Sequence, residues 1–101
     1  MENSPAVSLA EITKLLTESK FRITGTAIRT ALELGHDAES IRAVVAGLTP
    51  PDFYKSMESE KCPGRWQDVY KVSCDGVPLY IKLQVAAGWA VIISFKRDTS
   101  R

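Results

Sequence analysis

Histidine is almost missing from this sequence: His36 is the only one. Cysteine is nearly as scarce, with Cys62 and Cys74 twelve positions apart and no histidine near either. That leaves no cluster with metal-ligand spacing, so no metal site is expected. In a reducing compartment a disulfide is disfavoured, and both thiols are expected free. No apolar run approaches the roughly 20 residues a membrane span needs. The start Met1-Glu2-Asn3-Ser4-Pro5 has no secretory leader core, so a cytoplasmic location is expected. Repeats and low-complexity tracts are also lacking. Acidic residues run short in one half only. Residues 1–60 carry six Lys/Arg and nine Asp/Glu, whereas residues 61–101 carry seven and three. A net charge of +1 therefore hides a basic C-terminal part, which suits a local polyanion site better than indiscriminate coating of nucleic acid.

What is present is one domain, 1–101, long enough to bury roughly two thirds of its surface without staples. Its N-terminal part, about 8–57, reads as helical. Ser8 and Glu11 form a capping box before the stripe Leu9, Ile12, Leu15, Leu16 and Ser19. Phe21-Arg22-Ile23 alternates briefly, as a short strand would. A second helix begins near Thr24 or Thr26, uses Ala27, Ile28, Ala31, Leu32 and Leu34, and ends at Gly35. Asp37 caps a third helix with Ile41, Val44, Val45 and Leu48 inward. Thr49 and Pro50 then open a short helix that approaches the sheet through Asp52-Phe53-Tyr54-Lys55-Ser56-Met57. Residues 58–65 read as a polar, mobile loop.

The C-terminal part, about 66–97, reads as three antiparallel strands. Asp75-Gly76 suits a two-residue type I′ turn, which sets Cys74 opposite Val77, Val72 opposite Leu79, Tyr70 opposite Ile81 and Lys71 opposite Tyr80. Keeping Leu83 and Ile93 on one face demands an odd loop, Ala87-Gly88-Trp89, with Val85 opposite Val91 and Leu83 opposite Ile93. The same register sets Ile81 opposite Phe95, Tyr80 opposite Lys96 and Lys82 opposite Ser94. The fold class expected is α+β, with N-terminal helices packed on one face of a C-terminal antiparallel sheet. Asp68 falls on the apolar parity, where an ion pair with Arg22 or Arg29 is its only evident partner.

The other sheet face collects Gln67, Lys71, Tyr80, Lys82, Gln84, Ser94 and Lys96. Antiparallel sheets routinely leave one face solvated, yet this one lacks acidic residues where a solvated face usually mixes signs. A tyrosine beside lysines, with Lys55 delivered from the preceding helix, can supply acid–base and charge-stabilising groups. The two helices around Gly35 invite a helix-turn-helix reading, but Asp37 and Glu39 would repel phosphates. His36 is a solvated loop residue with no catalytic role.

Asp52-Phe53-Tyr54-Lys55-Ser56-Met57, Trp66-Gln67-Asp68-Val69-Tyr70, Tyr80-Ile81-Lys82 and Ser94-Phe95-Lys96 together resemble the MqsR toxins of bacterial type II toxin–antitoxin modules. The similarity covers nearly the whole chain and rests on the ordered set of segments. It implies a RelE-like mRNA interferase that cleaves mRNA at GC-containing sites without a cofactor. It also implies neutralisation by a cognate MqsA-like antitoxin, a zinc- and DNA-binding protein through which alone DNA is contacted. The family's functional residues fall on Lys55, Gln67, Tyr80 and Lys96. Around them Lys71, Lys82, Gln84, Ser94 and Arg97 are expected to bind the RNA. The loop at 58–65 and the turn at Ala87-Gly88-Trp89 depart from the family pattern.

The residues alone also allow a non-catalytic RNA-binding module on the same face, or a pure interaction protein pairing a sheet edge with a partner strand. A reader of bases would offer several stacking aromatics, and Tyr80 is the only one expected on this face. That favours chemistry on the RNA backbone. The expected route is attack by the RNA's own 2′-OH, with Lys55 and Lys96 stabilising phosphorane charge, Gln67 orienting the phosphate, and the Tyr80 phenol made more acidic by Lys71 and Lys96.

Overall fold

The computed structural model describes residues 4–99. Ser8 opens α1 (Leu9–Thr17), its hydroxyl accepting from the Glu11 amide at 3.2 Å. Ile12, Leu15 and Leu16 form the buried stripe. After β1 (Phe21–Ile23), Thr24 caps α2 (Gly25–Glu33) and Asp37 caps α3 (Ala38–Ala46), as their side-chain oxygens anticipate. Leu32 is exposed, while Ala27 and Ala31 carry the buried face of α2. Cys62 and Cys74 are both free thiols.

The expected helix after Thr49 is a single 3-10 turn, Pro50–Asp52, in which the Asp52 carboxylate accepts from the Thr49 amide at 2.8 Å. The chain then extends into β2 (Phe53–Glu58) instead of continuing as helix. The start signal was real, but one turn satisfies it, and pairing with the next strand takes the following residues. Strands β3 (Trp66–Cys74), β4 (Val77–Ala86) and β5 (Trp89–Arg97) complete a five-stranded sheet of order β1-β5-β4-β3-β2. The sheet is mixed, because β1 lies parallel to β5 while all other pairs are antiparallel. The loop between β2 and β3 is tied down: the Ser59 amide donates to the Arg65 carbonyl, and the Gly64 amide to the Glu58 carboxylate at 2.7 Å.

The first hairpin has the expected register, with positive φ at both Asp75 and Gly76. The second does not. Its turn is the two-residue Ala87-Gly88, also with positive φ at both positions, and Ala86 pairs with Trp89. Tyr80–Lys96, Ile81–Phe95 and Lys82–Ser94 pair as expected, but Leu83 then meets Ile92 and Gln84 meets Val91. The odd residue sits within the strand as a bulge at Ile93. The junction of β1 and α2 secures it, since the Thr24 amide donates to the Ile92 carbonyl at 3.1 Å and the Thr24 hydroxyl to the Ile93 carbonyl at 3.0 Å. Ile92 therefore enters the core where Ile93 was expected.

The helices cover one sheet face. The core between them unites Ile12, Leu16, Ala31, Ile41 and Val45 with Tyr70, Leu79, Ile81, Leu83, Ile92 and Phe95. The His36 ring packs edge-on to Phe95 at 5.1 Å, and its Nδ1 lies 2.6 Å from the Ser40 hydroxyl, so it is no solvated loop residue. Asp68 pairs with neither arginine. Only 4% exposed, it accepts from the Ala6 amide at 2.9 Å, the Val7 amide at 3.1 Å and the Ser56 hydroxyl at 2.7 Å. The N-terminal lead-in is thus pinned to the sheet by a buried carboxylate. That charge, after burial itself, pushes the neighbouring Tyr70 phenol up to about 12.

Candidate functional site

The face of the sheet away from the helices is built in three rows, each crossing the strands. The first holds Lys71, Tyr80 and Lys96, adjacent on β3, β4 and β5. The second runs Lys55, Val69, Lys82, Ser94 from β2 to β5. In the third, Met57 pairs with Gln67, the Gln67 amide donates to the Gln84 side chain at 3.4 Å, and Gln84 pairs with Val91. Eight of the nine expected site residues converge here. Lys55 arrives from a strand, not a helix, and a bulge after Phe53 lets both Tyr54 and Lys55 reach this side.

Arg97 is the exception. It pairs with Leu79, a fully buried core residue, so its parity is that of the helix side. The strand alternation already carried this information, because Phe95 and Arg97 share one parity.

The cations are held against aromatic rings. Lys96 Nζ lies 5.1 Å and Lys82 Nζ 5.9 Å from the Tyr80 ring centroid, and Lys71 Nζ sits 3.9 Å from that of Tyr54. Attraction of an ammonium to a ring face keeps these like charges together. Contrary to the expectation of a face without acidic residues, Asp98 lies 3.5 Å from Lys71, fixed by its amide donating to the Pro78 carbonyl.

This corrects the expectation for Tyr80. Burial, then Asp98 and Tyr54, push its phenol up from the ordinary value instead of down. The amine with eased deprotonation is Lys82, lowered by burial first and then by Lys96 and Lys55, against a smaller opposing pull from Glu60. Its place in the middle row explains this. Next to it in the row, between Lys82 and Lys55, Val69 is wholly shut from solvent and lies outside the core cluster, so the amine has an apolar neighbour.

Beside Lys82 opens a cavity of about 310 Å³ lined by Met57, Glu60, Gln67 and Ile93, among others. Sequence reasoning missed Tyr54, Met57, Val69 and Ile93 on this face. The first two were hidden because the helix start at Thr49 predicts helix through Met57, where the chain is strand; Val69 was legible from its alternation with Gln67 and Lys71. Among the described residues no three His, Cys, Asp or Glu side chains come together as metal ligands, so the groups at hand are amines, a phenol and amides. No helix among the described residues is long and apolar enough to cross a membrane.

A family model described as "Motility quorum-sensing regulator, toxin of MqsA" matches residues 4–97. The chain is 35% identical over 95 residues to the mRNA interferase toxin MqsR of Escherichia coli strain K12, an alignment covering 94% of this chain and 96% of that protein. The match takes in all five strands and all three rows of the basic face, and the chain belongs to the MqsR toxin family.

Proposed function

We propose that this protein is an endoribonuclease toxin that cuts mRNA on its basic sheet face. One observation carries the reading: four strands deliver Lys55, Gln67, Tyr80, Lys82 and Lys96 to one patch, with an amine of lowered pKa at its centre. The relative's name, an mRNA interferase toxin, supports the same substrate class.

Lys82 in its neutral form takes the proton from the RNA's 2′-OH, whose oxygen attacks the adjacent phosphorus. Charge grows on the nonbridging oxygens, and Lys55 and Lys96 stabilise it more in the transition state than in the ground state. Gln67, steadied by Gln84, donates to the phosphate. Tyr80 remains protonated because its phenol is pushed up, and it gives that proton to the departing 5′-oxygen. The P–O5′ bond breaks, leaving a 2′,3′-cyclic phosphate and a 5′-hydroxyl. Proton exchange with water restores Lys82 and Tyr80. Lys71 and Ser94 contact the RNA backbone. Preference for GC-containing sites and neutralisation by an MqsA-like antitoxin complete the reading.

The test is purified protein with a defined RNA in EDTA. Cleavage supports the nuclease. A gel shift without cleavage would leave only a binding module, and the absence of both cleavage and a shift would overturn both readings.

A further inference from the structure

The bulge at Ile93 has an effect on the opposite face from the core. Without it, β5 would send Val91 and Ile93 inward with Phe95. With it, Ala90 and Ile92 turn in, and Trp89, Val91 and Ile93 are set out on the basic face. The neighbouring strand shows polar Lys82 and Gln84 there, so β5 lays an apolar strip along a cationic surface. Trp89 is 36% exposed at its end. Arg22, adjacent to Val91 through the parallel pairing of β1, points away from the core-packed Phe21 and Ile23. Its guanidinium carbon lies 5.4 Å from the Trp89 ring centroid, and beside the pair is a cavity of about 150 Å³.

We propose that Ile93, Val91 and Trp89, with Arg22, form a track on which the RNA substrate stacks unpaired bases to one side of the cut phosphate. This rests on the nuclease reading above. Every base has an apolar π-face, so an indole and aliphatic side chains hold bases without reading them, while a guanidinium meets the phosphates. The strip starts beside Ser94, in the row of Lys82, and runs to Trp89. At about 3.3 Å per residue that is roughly 15 Å, within the reach of the roughly four nucleotides of a small single-strand site. It is continuous with the proposed catalytic rows, and the amides of Gln84 and Gln67 flank it. A half-buried apolar strip that ends in an exposed indole is a liability unless something covers it, and a single strand leaving the reaction centre along β5 does so.

The experiment uses the full chain and two series of labelled RNAs, extended one nucleotide at a time in the 5′ or the 3′ direction from the shortest RNA bound. Binding is read by fluorescence anisotropy with a 2′-deoxy residue at the cut position, and cleavage is followed in parallel on the all-ribose RNAs. Affinity is expected to grow with extension in one direction only. Trp89→Ala should remove that gain, weakening the longer RNAs roughly tenfold, the scale of one lost base stack. It should leave the shortest RNA unaffected, and Trp89→Phe should keep most of the gain. Replacing one base by an abasic site should cost wild type as much as Trp89→Ala does, and cost the variant little more. The track is overturned if Trp89→Ala binds every length like wild type, loses affinity equally at every length, or responds to the abasic site as wild type does. Failure of cleavage with length-dependent binding retained would count against the nuclease step alone.

Discussion

Replacing Asp68 by Ala should unsettle this fold more than loss of any single lysine on the basic face. The carboxylate accepts three hydrogen bonds, from the Ala6 and Val7 amides and the Ser56 hydroxyl. The Ser56 hydroxyl is completely buried, so it would be stranded at a cost of about 1–3 kcal/mol. The two amides belong to an exposed or half-buried lead-in and can return to water, so each contributes only about 1 kcal/mol. The total is about 3–5 kcal/mol, a large share of the roughly 5–15 kcal/mol that holds a small domain together. Urea denaturation at neutral pH measures it. Ser56→Ala in the same background should recover part of the loss, because the stranded hydroxyl is gone, and the cycle should show a coupling of about 0.5–3 kcal/mol. Hydrogen exchange at the Ala6 and Val7 amides should accelerate in Asp68→Ala while α3 keeps its protection. A change within about 0.5 kcal/mol, the range of an ordinary surface substitution, would refute the anchoring role.

The two isoleucines at the bulge should separate cleanly: Ile92→Ala should cost about 2–5 kcal/mol through a core cavity, and Ile93→Ala far less, with equal losses contradicting the bulge. Lys82→Arg keeps a charge but cannot release a proton at accessible pH. Wild-type cleavage should rise with pH to a midpoint below that of an ordinary lysine, and the variant should be slow at every pH; an unchanged profile would remove Lys82 from proton transfer. For Tyr70 the folded-state phenol, at about 12, lies above its ordinary 10.0, so its contribution is fully present below about pH 10 and is lost as pH climbs towards 12. Tyr70→Phe should abolish that alkaline loss, seen as a flatter plot of urea stability against pH.

The features that local chemistry dictates were open to reading from the sequence. Ser8, Asp37 and Asp75-Gly76 each act within a few residues, and so the caps of α1 and α3 and the first hairpin followed directly. The second hairpin failed for a nameable reason. Ala87 adopts a positive φ that alanine rarely takes, so a two-residue turn there gave no signal, and parity arguments assume a strand without a bulge. Because the bulge falls after Lys82, the pairs that build the first two rows were unaffected by the error. Strand β2 was hidden by a genuine helix start at Thr49-Pro50 whose helix lasts one turn. Asp68 looked misplaced because its partners are mostly backbone amides from the other end of the chain. For Tyr80 the lysines alone point the wrong way, because burial of the phenol first, and then Asp98 and Tyr54, outweigh them.

In the mechanism proposed above, the three rows cut RNA through its own 2′-OH. The direct measurement is cleavage, in EDTA, of two oligoribonucleotides identical except for one 2′-deoxy residue at the mapped cut site, with the fragment ends analysed by mass spectrometry. The expected result is a 2′,3′-cyclic phosphate and a 5′-hydroxyl from the all-ribose RNA and no cut at that position in the substituted one. Cutting of the deoxy-substituted position, or a 5′-phosphate on the downstream fragment, would contradict it.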